Sequence, residues 1–383
     1  MKRGDNILTA KLDDGTNVVL TEAVSREQLR KWRRSTLFYC PQCSESVQLK
    51  VGDIVIPHFA HKKDKSCTTL FSEGESKEHL LGKQQLYSLF NRLGHAVKLE
   101  PYFSSLAQRP DLLVTTKTKK IPIEFQCSTI PIKLIDSRTS GYQKEGMNPI
   151  WLLHTPIKLK TLPQGVCKFQ LSAYEKKFLK KVSLKGIVLL TYNPQMQQFH
   201  YFSSLLHIAG RRFIGLHRIL PNSKQIFPFA QPKVPTDADL QNYVNLYLLA
   251  RKRFLQNRIL LNRRGVNDPF LRGCYELRIL PSELPLTIGI PMASMNPFQE
   301  HPCEWQLAFI NYLHINQLSV DHISEDVLLD FVKAFRGPSD LQLQACRNYC
   351  YFLCSINMKS VNAFECFDEK EFSRKFSHEF LAK

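Results

Sequence analysis

Three short segments place carboxylates where they could share a divalent cation. The first, Glu75-Ser76-Lys77-Glu78-His79, opens an apolar-striped helix on which Leu86, Leu89, Phe90 and Leu93 recur. At about 100° per residue, Glu75 and His79 fall on the inward stripe and Glu78 at its edge. Ser72 with Glu75 would form a capping box, and Ser76 is the alternative cap. The second segment is Arg109-Pro110-Asp111, where the proline enters a strand at its start and Asp111 follows it. The third is Ile121-Pro-Ile-Glu124-Phe-Gln126, where alternation puts Glu124 and Gln126 on one face. A hairpin through 115–120 brings Asp111 and Glu124 side by side. Acids on a core-facing surface are costly unless something binds them. Mg²⁺ or Mn²⁺ takes such oxygen ligands, and in nucleases it activates a water against a phosphodiester. Isolated surface acids in ordinary ion pairs are the plainer reading of any one of these residues, though not of all three segments in this order.

A second constellation precedes these acids. Cys40-Pro-Gln-Cys43 is a two-cysteine knuckle, followed by His58, His61 and Cys67. Zinc wants four nitrogen or sulfur ligands in a tetrahedron, and a knuckle supplies two of them from one tight turn. The intervening runs 47–51 and 54–56, split by Gly52-Asp53, predict a small hairpin. The pattern is that of a zinc-ribbon-like segment over 38–69, with Cys40, Cys43, His58 and one of His61 or Cys67 as ligands. A site closed by local ligands is structural Zn²⁺ rather than catalytic.

The elements that must carry these groups follow from periodicity. Residues 1–70 form an N-terminal region, and 71–155 alternate helix and strand. Residues 156–235 hold strand-like runs and a Pro-rich linker (221–235), and 236–383 are mostly helical. Across the 383 residues, 52 Lys and Arg against 34 Asp and Glu leave a net charge of +18. The excess lies in the middle of the chain. Its basic stretches include Arg211 and Arg212 and then Arg251, Lys252 and Arg253, candidates for phosphate contact in DNA. A solvated basic face is the alternative for any single stretch. With 43% apolar and 22% charged residues the composition is that of a globular protein. No apolar run reaches the roughly 20 residues a bilayer span requires, so no membrane partner is expected. The first fifteen residues hold no apolar leader, which predicts the cytoplasm. There is no His-Glu-x-x-His helix and no Gly-x4-Gly-Lys-Ser/Thr loop, against a zinc hydrolase or an ATPase motor. Cys346, Cys350 and Cys354 share one helix face, which reads as buried thiols. The acidic C-terminal part reads as a helical bundle, with partner docking or DNA mimicry as alternatives.

The order of these motifs resembles the PD-(D/E)XK nuclease superfamily, whose restriction-endonuclease-like core is α/β and runs αβββαβ. Their wording resembles the competence protein CoiA family: Cys40-Pro-x-Cys43, His58-Phe-Ala-His61, Glu75-Ser-x-Glu78-His79 with Lys83, Arg109-Pro-Asp111, Glu124-Phe-Gln126-Cys-Ser128 and Arg138-Thr-x-x-Tyr142. The resemblance covers roughly residues 38–154. It implies a DNA-processing protein of natural transformation and homologous recombination, with recombination proteins as further partners. It also implies metal binding by Asp111 and Glu124, assisted by Glu78 by motif or Glu75 by face. One departure is Gln126, where the superfamily places a lysine that orients the attacking water. Glutamine can still position water, and His79 or Lys83 could supply the charge. Arg138 and Tyr142, a helical turn apart, are expected either at the scissile phosphate or in helix packing. The alternative function is a nuclease-like module that binds DNA or recruits recombination proteins without cutting.

Overall fold

In the computed structural model, the structure describes residues 6–62, 75–182, 186–291, 295–358 and 368–376. The chain divides into two units. The first comprises Met1–Lys160, Leu190–His200 and Ile219–Gln231; the second comprises Thr161–Leu189, Tyr201–Arg218 and Pro232–Lys383.

The first unit opens with short strands β1 (Asn6–Ile7), β2 (Thr9–Lys11) and β3 (Asn17–Val19). Helix α1 (Arg26–Ser35) follows, then β4 (Phe38–Tyr39), β5 (Ser46–Lys50) and β6 (His58–His61). They form an antiparallel sheet in the order β1-β6-β5-β4-β2-β3. Gly15, at φ +83°, makes the reversal between β2 and β3. Ser25 caps α1 by accepting from the Gln28 N–H at 3.2 Å. In β5, Val47 and Leu49 are buried while Gln48 and Lys50 are exposed, the period-two pattern of a half-covered strand. The strand expected at 54–56 is instead a bend, and its partner run begins at His58. Arg26 holds that bend by bonding the Gly52 carbonyl and Asp53.

Next come α2 (Lys77–Arg92), β7 (Ala96–Leu99), β8 (Leu112–Thr115), β9 (Lys120–Gln126), α3 (Ile132–Lys144) and β10 (Ile150–His154). The observed order is therefore α-β-β-β-α-β. Ser76 is the N-cap of α2; Ser72 lies outside the described residues. Leu80, Leu86, Leu89 and Phe90 bury the helix against the sheet. Strands β7, β8 and β9 are antiparallel. β9 and β10 are parallel, and such a pair needs a crossover, which α3 supplies. At Gly82 the helix backbone meets the sheet closely: a Cβ there would lie 2.1 Å from the Phe125 ring.

Helix α4 (Ile157–Lys160) ends the first long segment. Beyond it lie β11 (Gly165–Gln170), α5 (Ala173–Lys176), β12 (Lys180–Val182), β13 (Gly186–Asn193), β14 (Gln198–Ala209) and β15 (Arg212–Pro221). The end of β13 extends the first unit's sheet by pairing parallel to β10, Leu153 opposite Thr191. The linker expected at 221–235 is not a spacer throughout. Phe227 and Phe229 pack on Phe90 at 5.2 and 6.0 Å between ring centroids, and residues up to Gln231 belong to the first unit. In the second unit β11 lies antiparallel to β15. Helices α6 (Asp237–Leu260), α7 (Pro269–Glu276), α8 (Pro302–Ile315), α9 (Glu325–Val332), α10 (Ser339–Ser355) and α11 (Glu369–Lys375) follow. Their core centres on Trp305, which meets Phe298 and Tyr349 edge and face. The cysteine stripe of α10 grades outward: Cys346 is buried, Cys350 intermediate and Cys354 exposed. Among the described residues, no helix is long and apolar enough to cross a membrane.

Candidate functional site

The start of α2 and the start of β8 meet in the first unit. Glu75, His79 and Lys83 are spaced by four residues and so share one side of the helix. Asp111 immediately precedes β8, and its Oδ2 accepts the Phe125 N–H of β9 at 2.7 Å. His79 Nε2 lies 3.0 Å from that same Oδ2, and its Nδ1 lies 3.6 Å from Glu75 Oε2. One ligand atom each from Glu75, His79 and Asp111 fall within 4.8 Å of one another. Face geometry, not motif wording, thus selects the first acid. Glu78 pairs with neighbouring Lys77 at 3.8 Å and stands outside this cluster.

The electrostatics separate the two acids. Burial would raise Asp111, but the His79 and Lys83 charges beside it outweigh that and hold its carboxyl well below the usual range. Burial prevails at Glu75, which is raised despite Lys83 and His79. Burial would lower His79, but Asp111 and Glu75 overcome it and raise the imidazole. Lys83 is wholly buried. Its Nζ sits 2.5 Å from Glu75 Oε2 and also bonds Glu100. Burial opposes its charge, and Glu100 and Glu75 more than restore it. Glu100, at φ +50° after β7, accepts from Leu8 N at 3.0 Å and from the Thr9 hydroxyl at 2.9 Å. Nothing in the sequence singled it out: an acid between Leu99 and Pro101 belongs to no pattern, and only the tertiary fold brings it to Lys83.

Glu124 faces a different set. Register places it beside Asp111, since Leu112 pairs with Ile123. Its Oε1 accepts from the Tyr142 hydroxyl at 2.5 Å and from Arg138. Arg138 also donates to the Arg109 carbonyl at 3.0 Å. Burial raises Glu124, with Arg138 opposing and Asp111 adding to the rise. The Gln126 amide donates to the Ser128 carbonyl at 2.8 Å. Of the expected metal set, the structure joins Asp111 to Glu75 and His79, and engages Glu124 with α3.

The cysteine knuckle is formed. Ser44, at φ +58°, turns the chain, and the Gln42 N–H points at Cys40 Sγ at 3.4 Å. Cys40, Cys43 and His61 bring their donor atoms within 4.8 Å; Cys43 Sγ is 3.3 Å from His61 Nε2. Burial pushes the Cys40 thiol up, but hydrogen bonds from His61 and nearby backbone bring it down to about 7. Two thiols and an imidazole are the donor chemistry of Zn²⁺, three of the four ligands a closed site needs. His58 does not join them. It is three residues from His61 on one strand, so the two side chains leave opposite faces, and its Nδ1 meets the Ile56 carbonyl at 2.9 Å. Cys67 lies outside the described residues. At the acidic cluster, two carboxylates suit Mg²⁺ and the imidazole adds a ligand that suits Mn²⁺.

Of the basic candidates, Arg211, Arg212, Lys252 and Arg253 are exposed. Arg251 is not available to phosphate. It is buried, and its guanidinium donates to the carbonyls of Leu284, Pro285 and Ile288 at 2.7–3.3 Å. Charge alone marked it as a contact; the helix phase turns it inward.

A family model described as "Competence protein CoiA, nuclease-like domain" matches residues 75–231, and one described as "Competence protein CoiA, N-terminal domain" matches residues 21–70. A curated protein named Competence protein CoiA, from Bacillus subtilis (strain 168), is 33% identical over 180 residues. That alignment covers 47% of this chain and 46% of the relative, so the match spans about half of each. No solved structure matches the chain.

Proposed function

The chain belongs to the competence protein CoiA family, and from that premise we propose that it processes DNA in natural transformation, hydrolysing phosphodiesters with a divalent metal. The observation that carries this reading is the convergence of Glu75, His79 and Asp111 within 4.8 Å where the start of α2 meets the start of β8 in the α-β-β-β-α-β core. On this reading the core is restriction-endonuclease-like, the knuckle is a structural Zn²⁺ module, and the protein works on DNA in the cytoplasm beside recombination proteins.

Bound there, Mg²⁺ or Mn²⁺ would polarise the phosphoryl oxygen and lower the pKa of a bound water. Asp111, held ionised, offers the permanent negative ligand. Glu75, bonded by Lys83, would supply the second carboxylate ligand. Lys83 stands within reach of Glu75 where the superfamily lysine is missing at Gln126. Arg138 and Tyr142 fix Glu124 and so hold α3 against β9.

The test is a cleavage assay on single-stranded, duplex and branched DNA, with and without Mg²⁺ or Mn²⁺. Asp111→Ala is expected to lose on the order of 10³-fold in rate while still binding DNA. A wild-type protein that binds DNA and cuts no substrate would remove the enzymatic reading. The second reading, binding without cleavage, draws on the occupation of Glu124 by Arg138 and Tyr142 and on the neutral Gln126. For the knuckle, metal analysis is expected to find one zinc per chain, lost in Cys43→Ser; equal zinc in both proteins would refute the assignment.

A further inference from the structure

The first unit has a second concave surface that the reading above does not use. A groove of about 510 Å³ is walled by β2, β3, the knuckle, α2, β7 and the turn after it. That volume lies within the roughly 300–1,000 Å³ of ligand sites. Lys11, Lys98, Tyr87 and Tyr102 line it, beside Pro41 of the knuckle.

The state of these side chains is informative. Lys98 is exposed and Lys11 half-buried. Among the described residues neither is within ion-pair distance of a carboxylate. Tyr87 and Tyr102 are half-buried, and among the described residues neither phenol has a hydrogen-bond partner and neither ring a neighbouring ring. Tyrosines that serve the core of this protein are different: Tyr142, Tyr243 and Tyr349 are buried, with their hydroxyls bonded. Glu100 is the single acid on the lining, and its charge is already met by Lys83. The groove therefore offers two half-buried tyrosines and two lysines without an ion-pair partner among the described residues, with one acid, bonded to Lys83, on its lining. Exposed bases stack on such rings and their phosphates pair with such cations, the combination that single strands require. A duplex keeps its ring faces inside the stack and would leave both tyrosines unused.

We propose that this groove binds single-stranded DNA, with bases on Tyr87 and Tyr102 and phosphates at Lys11 and Lys98. The proposal rests on the DNA-processing reading and specifies the form of DNA. Its floor also meets the candidate site: Glu100 bonds Lys83, which bonds Glu75.

The experiment measures binding of the full-length protein to a fluorescent oligo-dT and to a duplex, in buffer free of Mg²⁺ and of chelator. Tyr102→Leu is expected to weaken oligo-dT binding on the order of tenfold. The pair Lys11→Gln with Lys98→Gln is expected to lower the salt slope of oligo-dT binding by about 1.4. Duplex affinity should stay within about twofold in each variant, and circular dichroism reports whether each variant is folded. Tyr87→Leu alters α2 itself, so the Tyr102 and lysine variants decide. Unchanged oligo-dT affinity and slope in those folded variants overturns the groove while leaving the nuclease reading intact. Competition by a polyglutamate peptide as strong as by unlabelled oligo-dT also overturns it. A wild-type protein that binds no DNA at all fails the DNA-processing reading, and the groove with it.

Discussion

Glu124 shows how one side chain's neighbours decide its work. The residue is 5% exposed, and its carboxylate would be costly alone. Arg138 and Tyr142 satisfy it from one turn of α3. Breaking a buried pair from one side leaves the other charge uncompensated. Arg138→Met is therefore expected to destabilise the protein by about 3 kcal/mol, and Tyr142→Phe by about 1 kcal/mol, both read by urea unfolding. If Arg138 instead contacts the scissile phosphate, Arg138→Met would leave stability unchanged and reduce cleavage alone. The sequence offered both roles for this residue because Arg-x-x-x-Tyr spacing specifies a shared helix side and says nothing of what lies opposite.

At the scale of elements, α2 carries His79 and Lys83 and Glu75 lies just ahead of its cap Ser76, so the seat of the helix on the sheet sets their geometry. That seat is Gly82 against Phe125. The Phe125 ring is itself held by His79, His154 and Tyr192 at centroid distances of 6.0, 6.3 and 5.8 Å, so it has little room to yield. Gly82→Ala should cost about 2 kcal/mol, and because the Phe125 N–H holds Asp111, it should also lower cleavage. Unfolding and cleavage measured on the same preparation check this, and a variant as stable as wild type would show the contact to be soft. The helix stripe and the β8–β9 hairpin were legible because periodicity reports burial directly; the expected metal set was Asp111 and Glu124 with Glu78 or Glu75, whereas the structure groups Asp111 with Glu75 and His79. Glu100 was not legible, since its partner Lys83 lies on another element and no local pattern joins them. His58 was misplaced for a simpler reason: the strand was expected to end at residue 56, so the phase that separates His58 from His61 was not applied. Phe227 and Phe229 were read as linker because prolines dominate that stretch, although two aromatic rings so close together seldom stay in water.

Over the whole molecule the net charge of +18 favours a polyanion, but exposure decides which cations contribute. Arg211, Arg212, Lys252 and Arg253 remain in the candidate set and Arg251 leaves it. Replacing Lys252 and Arg253 together with Ala is expected to reduce the salt slope of duplex binding by about 1.8; an unchanged slope would return both to plain solvated residues. The carboxylate of Glu100 bears on how the chain can be dissected. Leu8 and Thr9 supply its donors from the N-terminal sheet, ahead of both segments that match the family. Trimming the protein to residue 75, where the nuclease-like match begins, would strip those donors and leave Lys83 to balance Glu75 and a newly wetted Glu100. A fragment that keeps Glu100 and Lys83 as they stand would thus have to include residues 8 and 9, and the N-terminal sheet is a structural part of the candidate site rather than a removable appendage.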